Sequence, residues 1–298
     1  MKLRSNTDRL ALLPGLADYL ALIKFRLLAL VLVSTCMGYF IGAGADTTLA
    51  PLVMTLLGIT LVGGGANTLN QWKERNADAL MYRTRLRPLP ARRLTPENAL
   101  WFGIFISLCG FAVLAIGVNR LTLVLSLLSW ASYLFVYTPL KTRSILNTWA
   151  GAVPGAIPAV LGCTAAAASL NTSALALFLI LYVWQMPHFF AISWVYRDDY
   201  LRGGFRMLSW NDESGTSTAR HILLHTALLV PVSAGLYLSG HSGLPYLVLT
   251  LLNGFVFLIL ALQFYRVRSK ALAKRVFHYS ILYLPLLFLT IIADSFLK

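Results

Sequence analysis

Asn70, Glu74 and Asp78 recur at every fourth position in the stretch NQWKERNADALMYRTRLRPL, Asn70 to Leu89. An α-helix turns about 100° per residue, so each step of four drifts only about 40° and the three side chains share one face. Asn67, three residues earlier, falls on the same face. Amide and carboxylate oxygens on one stripe are hard ligands suited to Mg2+, which keeps several waters and meets substrate phosphates. Arg83, Arg85 and Arg87 follow, and Pro88 disfavours further helix. Guanidinium groups match phosphate oxygens. Acids and arginines together describe a site for a metal-bound diphosphate. The bland alternative is a solvated helix end carrying i,i+4 ion pairs.

Two more stretches carry polar groups beside apolar runs. YTPLKTRSILN, from Tyr137 to Asn147, offers Lys141 and Arg143 to a diphosphate, with Tyr137 as a hydrogen-bond donor or a π-face for a cation. Its alternative reading is a juxtamembrane loop anchored by an interfacial tyrosine. WQMPHFFAISWVYRDDYLRGGFRML, Trp184 to Leu208, places His188 inside an apolar run and Asp198 and Asp199 at its end. An ionisable group at membrane depth is a functional candidate by default. His188 lies ten residues from Asp198, about 15 Å of helix, a depth that suits a bound acceptor. The two aspartates offer a second acidic site opposite the first.

These groups must be positioned by membrane helices. The chain has 298 residues, 58% hydrophobic and only 12% charged, against about 25% charged in soluble domains. Mean hydropathy is +0.70. A span needs about 20 apolar residues. Nine runs qualify, near 27–45, 49–70, 99–118, 121–138, 148–168, 172–194, 221–240, 244–264 and 276–296. Net charge is +14, but the basic residues lie in short loops between apolar runs, so the charge speaks of topology and anionic ligands and not of nucleic acid. Of the 25 Lys and Arg, only Arg120 and Lys298 fall on the side opposite the other 23. The positive-inside rule therefore expects a cytoplasmic N-terminus and an outside C-terminus. Glu74, Asp78, Asp198 and Asp199 share the basic side, so the chemistry is expected at the cytoplasmic face.

Other patterns carry no chemistry. Cys36, Cys109 and Cys163 each sit in an apolar run, with no zinc or redox spacing. Gly63 to Gly65 lie inside a span with no following Lys-Ser/Thr pair, which favours close helix packing over a phosphate loop. Pro154 and Pro158 among small residues predict a kinked helix. The N-terminus has no short apolar core with a cleavage site, so the first run reads as an uncleaved span. The substrate implied is a lipid diphosphate, its leaving group stabilised by Mg2+ and an allylic cation by aromatic faces. A transporter would place charge nearer the midplane, in related halves.

At NQWKERNADALMYRTRLRPLP, at YTPLKTRS with the following GAVPGAIPAVLG, and at WQMPHFFAISWVYRDDY, the sequence resembles the UbiA superfamily of intramembrane prenyltransferases. The resemblance runs through most of the chain. Within the superfamily the Pro-His-Phe block points to the branch with haem as acceptor. The resemblance implies nine helices around a central cavity, Mg2+, farnesyl diphosphate and haem b as substrates, haem O as product, and haem A synthase or terminal oxidase assembly as partners. Carried over, Asn70, Glu74 and Asp78 form the first metal–diphosphate motif. Arg83, Arg87, Lys141 and Arg143 bind diphosphate, and Asp199 belongs to the second acidic site.

Three departures stand out. The first helix usually opens Lys-Pro-Arg and here reads Lys24-Phe25-Arg26. A Gly-Arg pair is usual where Arg92-Arg93 stands. The segment after Asp199-Tyr200, usually Gly-Ile-Pro-Met-Leu-Pro, here reads Gly204-Phe205-Arg206-Met207-Leu208-Ser209.

The expectation is one all-α, polytopic, membrane-embedded domain over 1–298, with 1–20 a cytoplasmic segment, in the inner membrane with its active site facing the cytoplasm. Its metal ligands would be Asn70, Glu74, Asp78 and Asp199. Tyr137 and Lys141 would take part in catalysis. Asn67, Arg83, Arg87, Arg143, His188 and Asp198 would bind substrates. The alternatives are a relative with an aromatic or quinone-precursor acceptor, and a lipid or haem transporter without chemistry.

Overall fold

Apolar runs of 19 residues and more have one stable form in lipid, because every backbone N–H and C=O must be satisfied within the run. The computed structural model describes residues 14–44 and 48–295, and these are helix and turn without strand. Residues 1–13 of the expected N-terminal segment, Asp46 and Lys298 lie outside them. Nine described helices are long and apolar enough to cross a membrane. They are α2 (Phe25–Ala43), α3 (Leu49–Leu80), α4 (Pro96–Gly117), α5 (Arg120–Leu140), α6 (Asn147–Ala167), α7 (Thr172–Val195), α9 (Thr216–Leu238), α10 (Leu244–Arg266) and α11 (Lys270–Ser295). Two short helices complete the set: α1 (Pro14–Ile23) and α8 (Arg197–Arg202). The nine expected spans match these to within a few residues at most ends. The larger differences are α3, which runs ten residues further, and the earlier starts of α9 and α11. Helix α1 replaces what the sequence suggested was a plain terminal segment.

At 1.5 Å per residue the 32 residues of α3 reach about 48 Å, against a hydrocarbon core of about 30 Å. The surplus turns carry Asn70 to Asp78. Caps set several starts. Thr95 accepts from Asn98 N–H with Pro96 following, and Asn119 and Asn171 accept from Thr122 and Ala174 N–H.

Helices α6 and α7 are the most buried spans. Helix α6 packs on α2, α5 and α7, and α7 packs on α9 and α11. Small residues allow the approach. A methyl on Gly38 or Gly162 would overlap the backbone of the facing helix, at Ala159 and at Thr35. A methyl on Gly65 of α3 would overlap the Ser107 hydroxyl and the Gly103 carbonyl of α4, so the Gly63–Gly65 run is a packing surface. The prolines of α6 leave carbonyls free. Pro158 cannot donate to Pro154 O, and Ser129 Oγ of α5 supplies the hydrogen bond at 3.2 Å.

The loops α1–α2, α3–α4, α5–α6 and α7–α9 meet at one end of the bundle. Lys24 touches Asn70, Tyr82 and Arg83 touch Asp199, and Arg206 N–H donates to Lys141 O at 2.6 Å.

Candidate active site at the mouth of the third helix

The α3 stripe is buried: Asn70 is 0%, Glu74 8% and Asp78 1% exposed. Burial of three oxygen-bearing groups demands partners, and each has a cation from a different part of the chain. Asn70 Oδ1 accepts from Lys24 Nζ at 3.1 Å. Glu74 Oε1 lies 2.7 Å from Lys141 Nζ. Asp78 Oδ1 and Oδ2 accept from Arg87 Nη1 at 2.9 and 2.7 Å. Asn70 Nδ2 also donates to Thr138 Oγ1 at 3.1 Å.

The backbone of α5 explains how Lys141 arrives. Residues Ser132–Tyr137 form a π-helical turn, a distortion that recurs at functional sites. Thr138 N–H bonds to Tyr133 O, so Leu134 O loses its helical partner. Lys73 Nζ takes that carbonyl at 2.9 Å. Pro139 follows and has no N–H to restore the α-ladder. Beyond it, Lys141 sits 4.5 Å above the Tyr137 ring and 5.6 Å from that of Phe205. Burial opposes its charge, but the Glu74 carboxylate and the neighbouring Tyr137 and Tyr133 together outweigh burial and hold the ammonium above its usual range.

Asp199 is also buried, 7% exposed. Its oxygens accept from the N–H groups of Tyr82 and Arg83, at 3.1 and 3.3 Å, just past the end of α3, and from Arg202. Burial works against its ionisation, but the hydrogen bonds from Arg202, Tyr82 and Arg83 prevail and hold the carboxyl below its ordinary range. Asp199 thus ties α8 to the α3–α4 loop. Beneath that tie Met81, Phe205 and Met207 form a small apolar cluster, so the altered segment after Tyr200 fills its space with Phe205. Arg83 is exposed over the rings of Tyr200 and Tyr196, at 4.4 and 5.5 Å.

Several expected residues are placed elsewhere. Asn67 donates to Ile23 O at 3.0 Å, so its amide serves the end of α1. Asp198 faces outward, 3.7 Å from Lys270. Arg143 is exposed, and its carbonyl accepts from Arg206 at 3.3 Å. His188 Nδ1 meets Ser280 Oγ of α11 at 2.8 Å, with the ring stacked on Trp184 and tilted against Phe277. The Ser280 hydroxyl donates to Phe277 O at 2.6 Å, so it accepts from His188 Nδ1–H and leaves Nε2 as the ring's lone-pair atom. Among the described residues no three His, Cys, Asp or Glu side chains converge as a metal cluster. Asp199, expected in a second acidic site opposite the first, has its oxygens held by the backbone N–H groups of Tyr82 and Arg83 and by Arg202.

Lys24 is the site residue that spacing did not single out. Its position at the head of the first span, on the basic side, was the available signal. Burial, then the nearby charges of Arg87 and Lys141, bring its ammonium down to about 7.

Buried oxygen-bearing side chains in a row, each paired with a cation, sit at the mouth of a bundle with nine described helices long and apolar enough to cross a membrane, the build of an intramembrane enzyme. The UbiA prenyltransferase family model matches residues 31–290, and the chain belongs to that family. The protoheme IX farnesyltransferase of Solibacter usitatus (strain Ellin6076) is 42% identical over 286 residues, covering 93% of this chain and 98% of that protein. Among solved structures, digeranylgeranylglyceryl phosphate synthase superposes with a TM-score of 0.80 at 16% identity, covering 95% of this chain and 99% of that one. A UbiA homolog from Archaeoglobus fulgidus bound to GPP and Mg2+ superposes with a TM-score of 0.63 at 16% identity, covering 92% and 99%.

Proposed function

We propose that this chain transfers a farnesyl group from farnesyl diphosphate to a vinyl group of haem b, giving haem O and diphosphate. The observation that carries the reading is the pairing of Asn70, Glu74 and Asp78 with Lys24, Lys141 and Arg87, in a chain with a close full-length relative of that activity. The donor set fits Mg2+, since Asn70, Glu74 and Asp78 present hard oxygens in a row; a UbiA homolog of the same fold binds it. When bound, Mg2+ supplies charge neutralisation for the departing diphosphate.

The residues divide the remaining work. In the structure the cations cover the oxygens of Asn70, Glu74 and Asp78. When the diphosphate arrives, Lys24, Lys141 and Arg87 turn to its phosphate oxygens, where Arg87 gives a directed guanidinium contact. Arg83 and Arg143, exposed at the rim, steer the anion in. Asp199, fixed by Tyr82, Arg83 and Arg202, anchors the loop that closes over it, and a rearrangement of that loop would free its oxygens for a second metal. The prenyl C–O bond breaks with its electron pair on diphosphate. The allylic cation faces the Tyr137 ring, the terminal vinyl carbon attacks it and leaves the positive charge on the carbon next to the macrocycle, and water adds there and releases a proton to solvent to complete the hydroxyethylfarnesyl group. His188 Nε2 is the acceptor-side group, reaching haem from α7. The farnesyl chain and haem occupy a central cavity between the helices of this single domain, and the basic loops face the cytoplasm.

Purified protein in lipid nanodiscs, given haem b, Mg2+ and farnesyl diphosphate, is expected to yield haem O by mass together with diphosphate. Diphosphate release with an aromatic acceptor and none with haem would move the chain to another branch of the family. Binding without release would make it a carrier.

A further inference from the structure

We propose that Gln71 is a positioning residue for the diphosphate site, acting through Lys24; the inference rests on the diphosphate reading above. The last carbonyls of any helix lack partners within it. At the end of α1 three consecutive ones are captured by two amides of α3. Gln71 Nε2 donates to Ala21 O at 3.2 Å and to Leu22 O at 2.8 Å. Asn67 Nδ2 donates to Ile23 O at 3.0 Å. Gln71 and Asn67 are four apart on α3, one helical turn, and both are buried, at 1% and 7% exposed.

The next residue after those carbonyls is Lys24. Its backbone is left-handed, with φ 54° and ψ 57°, a region that L side chains rarely adopt. That break ends α1, starts α2 and turns the Lys24 side chain onto Asn70. An unfavoured backbone state persists only where its surroundings over-determine it. Here the surroundings are the two α3 amides and the Asp18–Arg93 ion pair at 2.8 Å, which ties α1 to the α3–α4 loop. Because Gln71 adjoins Asn70 in the chain, one helix holds both the ligand row and the clamp that delivers its third cation. Glu74 and Asp78 receive their cations from loops beyond α5 and α3. Asn70 depends on the clamp.

The test is a double-mutant cycle on the dissociation constant of farnesyl diphosphate, measured with Mg2+ on full-length protein in nanodiscs. Lys24→Met is expected to weaken binding about tenfold and Gln71→Met several-fold, while the double variant binds no more weakly than Lys24→Met alone. Methionine keeps the volume of Gln71 and removes its donor. Gln71→Glu, which keeps the shape and turns an oxygen onto the carbonyls, runs the same cycle if the methionine variant is not recovered folded. A second readout needs no turnover. Acetylation of Lys24, followed by mass spectrometry, is expected to be blocked by inorganic pyrophosphate with Mg2+ in the wild type and unblocked in the Gln71 variants. Additive losses, wild-type binding by both Gln71 variants, or equal protection of Lys24 in all would overturn the role of Gln71 alone. Failure of the wild type to bind farnesyl diphosphate would overturn the diphosphate reading and this inference with it.

Discussion

Asp78→Asn separates a metal ligand from a structural ion pair. Asp78 is 1% exposed, with both oxygens on Arg87 Nη1 and its carbonyl holding the Thr84 hydroxyl at 2.8 Å. Asparagine keeps the volume and one oxygen, so the fold loses only the charge-assisted part of the Arg87 contact. A hydrogen bond between charged groups contributes about 1.5–3 kcal/mol and a neutral one about 0.5–1.5 kcal/mol. The Arg87 side chain is 31% exposed and can rehydrate, which puts the loss near about 1 kcal/mol, or a few degrees in Tm. Turnover should respond on another scale. Loss of a group that merely supports a metal ligand reduces affinity or activity about 10- to 100-fold. Removing a charged ligand itself should cost at least about 100-fold in kcat/KM, roughly 2.7 kcal/mol. The assay is haem O formation in nanodiscs across a Mg2+ titration, beside a thermal melt of the same preparation. Excess Mg2+ should recover part of the activity, since a weakened site fills at higher concentration. Normal turnover at ordinary Mg2+ in a folded variant would remove Asp78 from the metal site and leave it as Arg87's partner.

Other expectations follow from single residues. Arg92 is exposed with φ 56°; Arg92→Gly should stabilise the protein by about 0.5–1 kcal/mol, the relief of left-handed strain less the entropy glycine adds. A denaturation midpoint that falls would show that Arg92 makes a contact outweighing the strain. His188 reaches Ser280 through Nδ1, so His188→Asn can keep that bond while removing Nε2. Altered Soret absorption of haem-loaded protein and slower haem O formation are expected, and a wild-type spectrum with wild-type rate would make the ring packing only. Reporters fused after Arg92 and Lys270 should read cytoplasmic, and one at Asp46 external, since the basic loops share one side. External readings at the first two would invert the topology.

Run length and helical period are local properties, and they made much of this protein legible. Nine apolar runs appear as nine helices among the described residues because lipid leaves their backbones one way to be satisfied. The i,i+4 spacing placed Asn70, Glu74 and Asp78 on one face before any neighbour was known. The partners of those residues were not legible, because they are chosen across the bundle. Lys24 meets Asn70 over 46 positions of chain, through a left-handed break that no propensity favours. Lys141 reaches Glu74 past a π-helical turn whose stray carbonyl accepts from Lys73. Asp199 and Asp198 look equivalent as neighbours in sequence. Packing sends one to backbone N–H groups 117 positions away and the other outward to Lys270. Asn67, on the ligand face by period, is drawn instead to the end of α1, a helix that the sequence did not announce. The period decides which face a side chain shares; which charge it meets there depends on how helices distant in the chain are packed, and the cost of burying an unpaired group makes that pairing obligatory.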